Sequence, residues 1–138
     1  MAGLTMNSLT RKLLLAGAAC VLVSCSDSAE GVWKGECQND TVGSKAGLQM
    51  TIKQEGDKLQ GILMLHDDLH GSGHLTGLVF DNDVTIRSEG DGQTFVNITW
   101  SGKLKGDTLQ GTYRVEPTPS AELLGRGIQT GTFSLQRK

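Results

Sequence analysis

All three histidines of this 138-residue chain fall within nine positions, in His66-Asp67-Asp68-Leu69-His70-Gly71-Ser72-Gly73-His74. Imidazole and carboxylate are good ligands for zinc, copper or nickel, so His66, His70 and His74 form a candidate metal site that Asp67 or Asp68 would complete. The spacing of four between histidines suits one face of a helix, whereas Gly71, Ser72 and Gly73 disfavour one. The competing reading is a polar, exposed connection between two strands. Other chemistry is sparser. Gly-x-Ser-x-Gly is absent, and no Ser or Cys stands in a recognisable nucleophile setting. Glu36, Asp57, Glu89 and Glu116 can be paired as acid and base in any combination, which assigns none of them. Gly71-x-Gly73 begins like a dinucleotide loop, but Thr76 replaces the third glycine. No catalytic role and no cofactor are expected.

The elements that must position these residues are strands. Leu48, Met50 and Ile52 alternate with Gln49, Thr51 and Lys53, and Val96, Ile98 and Trp100 alternate with Asn97, Thr99 and Ser101. Period two marks half-buried antiparallel strands. Glu55-Gly56-Asp57, Asp81-Asn82-Asp83, Gly90-Asp91-Gly92 and Gly106-Asp107 supply turns at short intervals. About eight strands are predicted, over 31–38, 47–55, 58–66, 73–80, 83–89, 94–104, 108–116 and 128–136.

A leucine precedes a glycine by two residues at Leu59/Gly61, Leu75/Gly77, Leu104/Gly106 and Leu109/Gly111. Glycine inside a strand permits sharp bending. The expected fold is therefore all-β, a closed up-and-down barrel, with a two-sheet sandwich as the alternative. Trp33, Met50, Leu63, Trp100 and Tyr113 are the candidate ligand-lining residues of its lumen. Gly35, Gly61, Gly77 and Gly111 would leave the lumen open, although eight strands can also be filled solidly by side chains. Residues 116–127 are the longest interruption, where Leu123 and Leu124 are expected to cap the core, with gating a ligand or touching a partner protein as the alternatives. A small apolar ligand inside, or another envelope protein held by the loops, are the two partner classes.

The N-terminus orders a basic patch (Arg11, Lys12), an eleven-residue apolar segment from Leu13 to Val23 and a small residue. That is the order expected of a secretory signal, with a buried helix as the competing reading, and the segment is too short for a bilayer needing about 20 helical residues. Leu22-Val23-Ser24-Cys25 resembles the lipobox of bacterial lipoproteins. The resemblance implies cleavage after residue 24, lipidation of Cys25, and a membrane anchor with several acyl chains. Ser26 after the cysteine points to the outer membrane, facing the periplasm. Residues 1–24 would be removed, 25–30 would be tether, and 31–138 the barrel domain. Loss of Arg11 and Lys12 leaves eleven basic against fifteen acidic residues, net −4. Without a basic stripe, nucleic acid is not an expected partner, nor is an anionic lipid face beyond the anchor. Cys37 is then the lone thiol, read as a buried strand residue because Gly31, Trp33, Gly35 and Cys37 share one face.

Gly31-Val32-Trp33, the hairpin meander and the closing Gly131-Thr132-Phe133-Ser134-Leu135-Gln136-Arg137 together resemble the calycin group, the lipocalins and avidin-like proteins. The resemblance spans nearly all of the mature chain. It implies that the Trp33 indole closes one barrel end, with Arg137 packed over it. The length fits the compact end of the group. The aromatic set of an avidin's biotin site is not matched, since only Trp33 and Trp100 are present, and biotin is not an expected ligand.

Overall fold

The computed structural model describes residues 28–66, 73–90, 92 and 94–138. Residues 1–27, which hold the expected signal segment and the start of the expected tether, lie outside them, as do 67–72, 91 and 93. Eight antiparallel strands follow one another around a closed barrel: β1 (Gly31–Asn39), β2 (Ser44–Glu55), β3 (Lys58–Leu65), β4 (Gly73–Phe80), β5 (Asp83–Glu89), β6 (Phe95–Lys105), β7 (Thr108–Pro117) and β8 (Gln129–Arg137). Each strand pairs with its sequence neighbours, and β8 closes onto β1 with Trp33 opposite Arg137 and Gly35 opposite Leu135. Closure pairs every strand on both sides and leaves no open sheet edge.

The alternating pattern is what makes these strands. On β2, Leu48, Met50 and Ile52 point inward and are buried, as are Leu59 and Leu63 on β3 and Leu109 and Tyr113 on β7. The polar residues between them face solvent. β2 begins at Ser44 rather than at Gly47, because the hairpin turns within Asp40–Gly43. There the Asn39 carboxamide oxygen accepts the backbone N–H groups of Thr41 (3.0 Å) and Val42 (3.2 Å), a local turn chemistry that substitutes for ladder bonds.

The inward glycines do not leave an open lumen. A Cβ on Gly35 would lie 1.9 Å from the Ser134 carbonyl oxygen, and one on Gly61 would lie 1.8 Å from that of Thr51. Gly77 and Gly111 meet the backbone of Thr85 and Ser101 in the same way. The strands coil so hard at these points that neighbouring backbone occupies the side-chain position. Glycine here lets the barrel close, and the interior is filled by Trp33, Met50, Leu63, Leu104 and Leu135, all fully buried.

The two barrel ends differ. One gathers both described termini and the short hairpin turns of β2–β3, β4–β5 and β6–β7, tied together by Val79 N–H to Asp57 O, Leu104 N–H to Asn82 O and Arg137 N–H to Asp107 O. At this end Ala29 is fully buried, and the Trp33 Nε1–H donates to its carbonyl at 2.9 Å. Arg137 donates to the Ser28, Glu30 and Gly106 carbonyls and to the Asp107 carboxylate. Its guanidinium carbon lies 4.5 Å from the Trp33 ring centroid. This end is closed. The other end carries the longer connections and is the mouth.

Candidate ligand site at the barrel mouth

At the mouth, side chains from five strands converge on an apolar cavity of about 210 Å³. Its floor is Trp100 and Tyr113, whose ring centroids are 4.8 Å apart. Phe133 meets Trp100 edge-on from behind at 5.4 Å, a favourable aromatic geometry. Phe95, Ile98, Leu65 and Val115 extend the apolar wall.

The polar groups are few and sit toward the rim. Asn39, buried apart from its edge, donates from Nδ2 to Gln129 Oε1 at 2.7 Å. Arg126 and Thr94 also line the cavity. Deeper, the Trp100 Nε1–H is satisfied by the buried Ser88 hydroxyl at 3.0 Å, which fixes the indole's orientation.

The wall opposite is built by the long β7–β8 connection. Thr118 caps a short helix, α1 (Pro119–Leu123), by accepting the Ala121 N–H at 3.2 Å. Proline at the first helical position has no N–H to leave unpaired. Thr118 N–H also donates to Thr94 O, joining this connection to the β5–β6 loop. Pro117, Arg126 and Gly127 from it line the cavity. Leu123 and Leu124 do not cap the core. They are 89% and 82% exposed, and the buried residue of the helix is Ala121. One helical turn has room to bury a single side chain, and the small alanine takes it while the leucines point to solvent.

Two of the five lining candidates, Trp100 and Tyr113, meet at this cavity. Trp33, Met50 and Leu63 are fully buried in the packed interior. Cys37 contributes to the cavity wall; burial pushes its thiol up to about 11, so it stays protonated and is not primed as a nucleophile. Burial also raises Tyr113, with Cys37 and Asp40 adding to the effect, and its hydroxyl remains neutral. The lining is therefore uncharged apart from Arg126. Ser88, Asn39 and Gln129 escaped the sequence reading. Their signal was faint: Ser88 stands at an inward position of an alternating strand, where an apolar residue is the norm.

His66 and His74 are both exposed and on the outward face near the mouth, with His74 opposite Ile62 of β3. His70, Asp67 and Asp68 lie outside the described residues. Among the described residues no group of three or more His, Cys, Asp or Glu gathers to hold a metal ion. No family model matches this chain, and no curated protein or solved structure matches it either.

Proposed function

We propose that this chain is a membrane-anchored envelope lipoprotein whose barrel binds a small, mainly apolar group at its mouth without catalysing a reaction. The observation that carries the reading is the mouth cavity, floored by Trp100 and Tyr113, apolar on its walls and polar only at its rim. This is the common pattern of small-molecule sites. Its volume sets the guest's size. About 210 Å³ lies below the roughly 300–1,000 Å³ typical of drug-sized ligands, and corresponds to about seven waters of liquid volume. A single ring or the end of a longer chain fits, with Arg126 placed to meet an anionic or carbonyl group left outside. The anchor belongs to the reading through Leu22-Val23-Ser24-Cys25.

Native mass spectrometry of the protein from Ser26 onward, purified without added metal or chelator, tests it. A co-purified organic mass that is lost on denaturation and absent from Trp100→Ala supports the reading. A bare monomer mass from every preparation overturns it. The exposed Leu123-Leu124 pair on the mouth connection favours a second reading, in which the mouth loops hold another envelope protein. Large apolar side chains held in water at a loop tip are typical of contact sites.

A further inference from the structure

We infer that the closed end of the barrel is a membrane seat, on which the β4–β5 hairpin rests Phe80 and Leu78 in the bilayer interface while the mouth points away. The inference rests on Cys25 being the lipidated residue. The chain is fixed up to Ser28, whose carbonyl accepts from Arg137 Nη2 at 2.8 Å. Ala29 is buried beside it, with its N–H donating to Gln54 Oε1 at 2.7 Å. Three residue steps separate Cys25 from Ser28, and an extended chain covers at most about 3.6 Å per residue, so the anchor lies within about 11 Å of the closed end. A leash this short holds that end, and no other, at the lipid surface.

The closed end is fitted for that position. Phe80 precedes the Asp81-Asn82 turn and is 77% exposed; Leu78, two residues earlier on the same outward face, is 56% exposed. Aromatic and leucine side chains displayed this way insert at the boundary of headgroups and acyl chains. Among the described residues the closed end balances Lys53, Lys58, Lys103, Lys105, Arg137 and Lys138 against six acidic side chains, so charge does not set the orientation and the exposed apolar pair and the short tether do.

The test uses the full chain, processed in cells and reconstituted into vesicles of phosphatidylethanolamine and phosphatidylglycerol carrying a brominated lipid as quencher. Trp33 and Trp100 are buried, so the wild-type signal serves as background for Phe80→Trp and Leu123→Trp. The emission of Phe80→Trp is expected to shift to the blue and be quenched, and that of Leu123→Trp to remain unquenched. Leu78→Trp serves in place of Phe80→Trp if the latter loses its cooperative unfolding. Equal quenching at both ends, quenching at 123 alone, or none at all in vesicle-bound lipidated protein overturns the seat and leaves the anchor standing. A wild-type mass without acyl addition at Cys25 overturns both.

Discussion

Arg137 and Trp33 stand opposite each other where β8 closes on β1, and the guanidinium lies 4.5 Å from the indole centroid. Its nitrogens bond three backbone carbonyls, from Ser28, Glu30 and Gly106. One planar side chain thus joins the N-terminal strand, the β6–β7 turn and the last strand. Loss of a cation–π contact together with charge-assisted hydrogen bonds makes Arg137→Ala destabilising by about 2–3 kcal/mol, read as a lower urea midpoint at unchanged slope. Lysine lacks the planar fork and recovers less than half of that loss. Asp107→Asn, at a side chain 77% exposed, costs less than about 0.5 kcal/mol.

Gly61→Ala is expected to be among the most damaging single-methyl additions in the barrel. The new Cβ meets the Thr51 carbonyl, which is backbone and cannot swing aside. Overpacking of this kind costs ~3 kcal/mol or more. Gly43→Ala meets no atom within 4 Å but has φ of +77°, so only the strain of a left-handed alanine is felt, about 1 kcal/mol. Thermal unfolding of the two variants separates the effects.

Ser88→Ala removes the hydroxyl that accepts the Trp100 indole N–H. A buried donor left unpaired costs about 1–3 kcal/mol. The same variant frees the indole to rotate at the cavity floor, so its emission spectrum changes along with its stability. Ser88→Thr keeps the hydroxyl and is expected to restore the spectrum more fully than the stability, because the added methyl crowds the core.

Alkaline pH is expected to weaken the fold through Cys37. Its folded-state value is raised by burial to about 11 from an ordinary 9.0. The unfolded chain therefore releases this proton first, and stability present below pH 9 is lost as pH rises toward 11. Urea midpoints measured across that interval fall for the wild type, and fall less for Cys37→Ala. Iodoacetamide at pH 8 is expected to leave Cys37 unmodified in the folded protein and to label it in urea.

The strands were legible in the sequence because alternation of apolar and polar residues reports which face is buried, and this barrel buries one face throughout. Seven of the eight predicted strands start within one residue of where the structure places them, and β2 departs because Gly47 looks like a boundary while the turn is made earlier by Asn39. The floor of the candidate site was legible as well. Trp100 and Tyr113 announce themselves as large inward residues. Their separation from Trp33, Met50 and Leu63 does not, since residue type carries no information on which layer of a barrel is filled.

Local pattern by itself determined that this chain forms a meander of short antiparallel strands, that its glycines must bend them, and that Trp33 and Arg137 lie at opposite ends of the chain. Such properties depend on neighbours a few residues apart. Only the tertiary structure decided that the inward glycines admit backbone rather than ligand, that an apolar cavity survives at the mouth, and that Leu123 and Leu124 face water. It also brought the β2–β3, β4–β5 and β6–β7 turns and both described termini together at the closed end. Each of these follows from how the ring of strands closes. Closure is a long-range condition, satisfied by side-chain volumes and strand coiling summed around the barrel.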